Sequence, residues 1–309
     1  MHLTRHLGAV LISVLLMLSS GAVQSIAQEL PADLPPVRTQ FGYADKATCG
    51  PADAPETGLQ GQVPQQLRAA GFKGFRCNLQ LMSQYQGEGA EWVGSWWGDC
   101  FYMSTASGPG ADRPGVAVVD VSDPANARYV RSLTTPGMLT TWESLKSAHG
   151  LLAGTQTGSY DPRLGGKWFD IYDVSQDCTN PVLKASVELG PLASGHEGNF
   201  APDGQTYYAT PLASPEPYVG FLAVDVSQPQ EPRVIATWDV PSEFPRAKIH
   251  GLGISRDGNI GYLTLLGNPS AGDNGVIIVD LSEIQARLPN PHVSVISTMY
   301  WRDGSSGPG

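Results

Sequence analysis

Two histidines at corresponding places in the sequence are the side chains best suited to chemistry. The chain contains the segments "SGHEGNF" and "IHGLGI", which place His196 directly before Glu197 and His250 directly before a glycine. Imidazole and carboxylate groups together bind zinc, copper, iron or nickel, and the sequence does not choose among these metals. His196, Glu197 and His250 are therefore candidate ligands of a transition metal, with the metal itself unassigned.

A repeat of about fifty residues relates these histidines to other parts of the chain. Four apolar runs, "VAVVDVSDP", "FDIYDVSQD", "LAVDVSQPQ" and "VIIVDLSEI", carry an aspartate at the same place, namely Asp120, Asp173, Asp225 and Asp280. Consecutive aspartates are 53, 52 and 55 residues apart. Such self-similarity at a fixed period is typical of repeat architectures. The shared aspartates are predicted to cap the turn that follows each run.

Each repeat has room for four strands, which predicts an all-β fold. The apolar run is continuous, as expected of a strand buried on both faces, and Asp-Gly pairs mark the hairpin turns before it. Four-stranded units of this length predict a β-propeller. We expect a propeller domain over residues 58–309 with about four complete blades, near 90–141, 142–195, 196–249 and 250–301. The ring is expected to be incomplete, because "FRCNLQLMSQY" resembles an outer strand without inner partners and the sequence ends soon after the fourth blade.

Aligning the repeats on their aspartates identifies two columns of residues on the first, innermost strands. The first column holds Ala90, Trp142, His196 and His250, and the second holds Glu91, Glu143, Glu197 and Gly251. Equivalent positions of a propeller converge around its axis, so the predicted ligand-binding residues are Glu91, Trp142, Glu143, His196, Glu197 and His250. Consecutive strand residues point to opposite sides, so one column should lie between blades, where its side chains would instead bond to backbone amides of the next blade.

The apolar runs resemble those of the LVIVD-repeat family of secreted or cell-surface bacterial β-propellers, over about Leu59 to Trp301. The segments "TTWESLK" and "GHEGNF" are also similar to parts of these proteins. This resemblance implies a fold and no particular reaction. The hairpin pattern HG-x-x-x-S-x-DG, which begins at His250, has a weaker similarity to selenium-binding, methanethiol-oxidase-like propellers, and that similarity implies channel histidines that hold a metal.

The N-terminus predicts export. One arginine, a short apolar stretch and small residues up to Ala27 form a typical signal peptide over residues 1–27, followed by an extended segment over 28–57 and with no membrane span after cleavage. Export makes the four cysteines candidates for two disulfides. Three connectivities are open, and we favour a bond between Cys77 and Cys100.

Composition narrows the classes of partner. With 19 basic and 29 acidic residues, the net charge is −10, which argues against nucleic acid and anionic membrane surfaces. The sequence contains no GxSxG, HExxH or P-loop motif. The leading hypothesis is therefore an exported protein, periplasmic, secreted or at the cell surface, that acts as a binding or scaffold module for a protein, glycan or small molecule. The alternative is a metal-dependent oxidoreductase or hydrolase with a His/Glu site at the propeller axis, and a purely structural surface protein is a third reading.

Overall fold

A computed structural model of the chain gives the structure of residues 48–51, 53–55, 65–69, 74–85, 87, 93–104, 112–156, 168–189, 195–211, 219–241, 248–266 and 274–301. The predicted signal peptide and most of the segment 28–57 lie outside these described residues. In the described part, no helix has the length and apolar character needed to cross a membrane.

The chain folds as two compact units, residues 1–79 and 80–309. In the first unit, the described residues include a short helix, α1 (Gln65–Ala69), and a disulfide between Cys49 and Cys77. Ala54 pairs there with Arg76 through two backbone hydrogen bonds.

The described residues of the second unit form four sheets, each made of four consecutive strands paired antiparallel in chain order. We call these sheets blades 1 to 4. Blade 1 consists of β1 (Gly94–Trp97), β2 (Cys100–Met103), β3 (Val116–Asp120) and β4 (Arg128–Leu133). Blade 2 consists of β5 (Lys146–Ala148), β6 (Leu151–Thr155), β7 (Trp168–Asp173) and β8 (Val182–Glu188). Blade 3 consists of β9 (Glu197–Phe200), β10 (Thr206–Thr210), β11 (Val219–Asp225) and β12 (Arg233–Asp239). Blade 4 consists of β13 (Lys248–Ile254), β14 (Ile260–Leu266), β15 (Asn274–Asp280) and β16 (Val295–Trp301). A 3-10 helix (Pro136–Met138) precedes β5, and a short helix α2 (Ser282–Gln285) follows β15.

Apolar side chains from facing sheets form the cores between successive blades. Tyr102 of blade 1 packs in the same core as Leu152 of blade 2, and Phe221 of blade 3 packs with Leu263 of blade 4. The first strands are neighbours, β1 beside β5, β5 beside β9 and β9 beside β13. Sheets that stack face to face with their first strands together form a β-propeller. The predicted all-β propeller is confirmed, and in the part of the chain that the structure describes its four blades do not close into a ring.

The repeated aspartates end the third strands. The apolar runs form β3, β7, β11 and β15, and every residue of β3 and β11 is buried. Each aspartate accepts a hydrogen bond of 2.8 to 3.1 Å from the backbone N–H two residues further on, at Ser122, Ser175, Ser227 and Ser282. These carboxylates close the turns that stop the strands, which is a structural role.

The disulfide predicted between Cys77 and Cys100 is wrong. Cys100 of β2 is bonded to Cys178 in the turn between β7 and β8, and Cys77 is bonded to Cys49. The Tyr102 hydroxyl also donates a hydrogen bond of 3.0 Å to the Cys178 carbonyl. The bond therefore joins blade 1 to blade 2. The sequence could not reveal it, because the repeat spacing does not show which turns of neighbouring blades meet.

Tyr207 anchors the segment that leads into blade 2. Its side chain is fully buried and its hydroxyl donates a hydrogen bond to the backbone carbonyl of Ser144, the residue after Glu143. Gly198 leaves room for this contact, since a Cβ there would collide with the Tyr207 hydroxyl. Replacing Tyr207 with phenylalanine leaves a buried carbonyl without its partner, and we expect the free energy of unfolding to fall by about 1 to 3 kcal/mol. Urea unfolding measures this change.

The matched control is Tyr262→Phe, because Tyr262 is an exposed tyrosine on β14 of the same unit. Its free energy of unfolding should change by less than about 0.5 kcal/mol. Equal effects of the two variants would contradict the anchoring role of Tyr207.

Candidate functional site

Three side chains from successive blades meet where the first strands adjoin. The Nε2 atom of His196 lies 3.0 Å from the Oε2 atom of Glu143 and 3.0 Å from the Nε2 atom of His250. The His250 Nε2 atom lies 3.4 Å from the same Glu143 oxygen. Three potential ligand atoms thus form a small triangle. His250 lies on the first strand of blade 4, His196 directly precedes the first strand of blade 3, and Glu143 lies shortly before the first strand of blade 2.

Irregular backbone brings members of both predicted columns to this one place. Trp142 has a φ of 47°, in the left-handed region that is uncommon for a residue other than glycine, and it directly precedes Glu143. The pairing of β13 with β14 shifts register between Ile249 and Gly251, so that His250 stands at a bulge. A bulge redirects the side chains of a strand. The prediction that only one column faces the channel assumed regular strands, and the triangle takes Glu143 from one column and the histidines from the other.

The Glu143 Oε2 atom of this triangle is buried and lies within 3.4 Å of two ring nitrogens. It nevertheless has no hydrogen-bond partner among the described residues. A buried polar atom without a partner carries a free-energy penalty of about 1 to 3 kcal/mol. A cation bound by all three atoms would remove that penalty, since each group then directs a lone pair at the ion.

The distances fit a transition metal. Zinc binds imidazole nitrogen and carboxylate oxygen at about 2.0 to 2.2 Å. At that bond length, ligand atoms separated by angles of about 90° to 110° lie roughly 3.0 to 3.4 Å apart. The three distances in the cluster, 3.0, 3.0 and 3.4 Å, fall in this range. Among the residues that the structure describes, Glu143, His196 and His250 therefore offer a set of three metal ligands.

The charges around the cluster also favour a cation. Glu197, the fourth polar group, places its Oε2 atom 3.8 Å from the Nδ1 atom of His250. Burial lowers the pKa of Lys146, and the nearby carboxylates of Glu197 and Glu143 partly offset that effect. Burial raises the pKa of Glu197, which Lys146 partly offsets. Two acidic side chains, Glu143 and Glu197, thus lie near a single basic one, Lys146, and a bound cation would be attracted to this acidic surrounding.

The predicted site residues are placed as follows. Glu91 lies outside the described residues. Trp142 packs edge-on against His196, with 5.1 Å between ring centroids. Glu197 lies on the Nδ1 side of His250, away from the triangle, while Glu143 supplies the third atom of the triangle.

Sequence reasoning missed two polar residues at the site. Lys146 lies in the segment "TTWESLK", three residues after Glu143, but it has no counterpart in the other repeats. Thr210 is buried, and its hydroxyl lies 2.9 Å from the His250 carbonyl and 3.1 Å from the Glu197 carbonyl. Its counterpart Thr264 bonds to the backbone of Gly251 in the same way. A comparison of second strands would have revealed this repeated threonine.

His196 should make the stability of the metal-free protein depend on pH. Burial and the adjacent His250 ring lower its pKa from 6.5 to about 4. Between pH 6.5 and pH 4, His196 is protonated in the unfolded chain but stays neutral in the folded protein. The free energy of unfolding therefore decreases as the pH falls from 6.5 towards 4. The expected loss from this residue is about 3 kcal/mol between pH 7 and pH 4.

Urea unfolding of the wild type and of His196→Gln at both pH values isolates this contribution. The variant should be less sensitive to acid than the wild type by about the same 3 kcal/mol. Identical pH dependence in the two proteins would show that His196 does not stay neutral in the fold.

Comparisons with known proteins do not assign an activity to this chain. No protein-family model matches the sequence, and no curated protein matches it. Solved structures do match. A periplasmic gluconolactonase of Pseudomonas aeruginosa is 16% identical, with a TM-score of 0.46, over 65% of this chain and 54% of its own. A hypothetical selenium-binding protein of Sulfolobus tokodaii is 13% identical, with a TM-score of 0.47, over 69% and 55%. The β-propeller domain of Cps50 (Swd1) of Myceliophteria thermophila is 11% identical, with a TM-score of 0.44, over 66% and 56%.

This chain therefore spans about half the length of these three structures. With TM-scores of 0.44 to 0.47 and identities of 11% to 16%, nothing about activity follows from these similarities. The resemblance to LVIVD-repeat proteins stays a prediction.

Proposed function

We propose that this protein is an exported β-propeller that binds one divalent transition-metal ion through Glu143, His196 and His250. The observation that carries the proposal is the buried Glu143 oxygen, which lies within 3.4 Å of both histidine Nε2 atoms and has no hydrogen-bond partner among the described residues. Two histidines and one carboxylate are ligands that zinc accepts readily. Export is supported by the two disulfides, which persist in oxidising compartments.

Three ligands among the described residues favour a catalytic metal site over a structural one. Structural zinc sites are closed by four protein ligands, whereas catalytic sites use three and keep a position for water or substrate. Such an ion polarises a carbonyl group or lowers the pKa of a bound water. We therefore favour a metal-dependent hydrolase acting on a small molecule. The chain itself would hold the ion through the triangle, and the buried ring of His196 would exclude solvent from one side of it.

The proposed metal site limits the kinds of ligand expected under the hypothesis of a binding or scaffold module. A small molecule that binds at the open metal position is the ligand that the site supports best. A protein or glycan partner stays a prediction from the sequence, and so does the absence of nucleic-acid binding.

Titration of metal-free protein with Zn²⁺ and Co²⁺ tests the proposal. Calorimetry should give one ion per chain, and bound Co²⁺ should give the visible absorption expected of nitrogen and oxygen ligands. Metal-dependent hydrolysis of an activated ester such as p-nitrophenyl acetate tests the reaction class. Folded protein that binds neither ion stoichiometrically would overturn the proposal. Stoichiometric binding of a redox-active metal without ester hydrolysis would instead favour the oxidoreductase reading.

A further inference from the structure

The repeat turns one face of each blade towards the next blade, and blade 4 exposes this face. On the second strands, Tyr102, Ala153, Tyr208 and Tyr262 are equivalent, because each pairs with the residue two places before its blade's repeated aspartate. The first three are fully buried in the cores between their own blade and the following one. Tyr262 instead exposes 41% of its surface. A position that lies between blades in the first three repeats is therefore open to contact in the fourth.

The third and fourth strands of blade 4 differ from those of blade 3 in the same way. In blade 3, Phe221 pairs with Trp238, and both are buried in the core against blade 4. The equivalent pair in blade 4 is Val276 and Met299, of which Val276 is only partly buried and Met299 exposes 58% of its surface. Exposed apolar patches mark interaction sites. We define the end face of blade 4 as Tyr262, Val276, Ile278 and Met299.

Blade 1 exposes the opposite face, the one that a preceding blade would cover. Trp96 of β1 pairs with Phe101 of β2. The equivalent pair in blade 3 is Phe200 and Tyr207, since Phe101 and Tyr207 each pair with the residue directly before the repeated aspartate. Phe200 and Tyr207 are buried in the core against blade 2, whereas Phe101 is partly buried and Trp96 exposes 70% of its surface. We define the start face of blade 1 as Trp96 and Phe101.

The end face and the start face match each other, as the contacts within the chain show. Between blades 2 and 3, the end-face position Ala153 packs in one core with the start-face position Phe200. The four described blades do not close into a ring, so the end face of blade 4 and the start face of blade 1 are left exposed at the two ends of the series. The side chains of both faces are uncharged, so burying them requires no desolvation of ions. A second copy of this chain carries both faces and can cover each of them.

We propose that two copies of this protein associate head to tail, with the end face of blade 4 in each copy packed on the start face of blade 1 in the other. Contacts of this type generate a closed ring when the rotation between subunits closes, and a twofold axis closes it after two copies. Four blades from each copy give a ring of eight, within the usual range of about four to eight blades for a β-propeller. The inference concerns a surface outside the proposed metal site and does not depend on metal binding.

Light scattering after gel filtration tests this association. The wild type should have twice the mass of one chain. Tyr262→Glu and Trp96→Glu should each raise the dissociation constant on the order of 100-fold or more, because the ring contains each substituted face twice and a buried carboxylate would lack a partner. Tyr262→Phe, which keeps the ring, should stay dimeric. Val182→Glu is the matched control, since Val182 is an exposed apolar residue on β8 of blade 2, and it should also stay dimeric.

An equimolar mixture of Tyr262→Glu and Trp96→Glu distinguishes head-to-tail contacts from other arrangements. A mixed dimer retains one contact with both native faces, so the mixture should associate more tightly than either variant alone. Circular dichroism should show that both variants are folded. A folded wild type that stays monomeric would overturn the inference, because this chain or another partner would then have to cover the two faces. A dimeric Trp96→Glu variant would also overturn it, since it would indicate contact between two blade 4 faces, and so would wild-type assemblies larger than a dimer, which arise when a head-to-tail contact does not close.

Discussion

Replacing His250 with alanine is expected to weaken Zn²⁺ binding by on the order of 100- to 1000-fold. Complete four-ligand zinc sites bind with about 10 to 16 kcal/mol, so that one ligand accounts for roughly 2.5 to 4 kcal/mol. The variant also leaves the buried Glu143 oxygen with one neighbouring ring nitrogen in place of two. His196→Ala should have an effect of the same size, because both Nε2 atoms belong to the triangle. Calorimetric titration of each metal-free variant measures the change.

A histidine outside the site provides the control for this prediction. His292 is exposed, and its backbone N–H, which an alanine retains, donates a hydrogen bond of 2.7 Å to Glu283. His292→Ala should therefore bind Zn²⁺ as the wild type does. If His250→Ala keeps wild-type affinity in a folded protein, Glu143, His196 and His250 do not form the metal site.

Removing the disulfide between Cys100 and Cys178 should produce the largest loss of stability. The bond closes a loop with a sequence separation of 78 residues and joins β2 of blade 1 to the turn after β7 of blade 2. In the chain-entropy description, a loop of this length corresponds to about 4 kcal/mol of stabilisation. Cys100 is also fully buried in the core between these blades. The double variant Cys100→Ala/Cys178→Ala should lose about this free energy of unfolding in urea.

The second disulfide offers a matched comparison. Cys49 and Cys77 belong to the first unit and are separated by 28 residues, so their bond constrains no strand of the propeller unit. The variant Cys49→Ala/Cys77→Ala should leave the unfolding of blades 1 and 2 nearly unchanged. That unfolding can be followed through the fluorescence of tryptophan residues such as Trp97, which packs against the core between these two blades. Equal losses in the two double variants would show that the bond between Cys100 and Cys178 has no special role in holding the blades together.

Much of the fold could be predicted because each repeat in the sequence corresponds to one blade. Each apolar run before Asp120, Asp173, Asp225 and Asp280 forms the third strand of a blade, and each aspartate closes the turn that follows. These features depend on local hydrophobicity and turn chemistry, which the sequence displays directly. The alignment of the repeats also brought His196 and His250 to corresponding places, and the two rings meet in the structure with their centroids 4.7 Å apart.

The sequence by itself thus determined the blades and the pair of histidines, whereas the tertiary structure decided which carboxylate joins them. From the sequence, Glu197 is the predicted metal ligand and Glu143 only a candidate ligand-binding residue, and regular strands would have turned both away from the histidines. The left-handed backbone at Trp142 and the bulge at His250 break that alternation, so Glu143 enters the triangle and Glu197 lies behind the ring. Likewise, only the packing of blade 1 on blade 2 brings Cys100 to Cys178. Both outcomes depend on contacts between blades, and a repeat in the sequence specifies each blade without specifying those contacts.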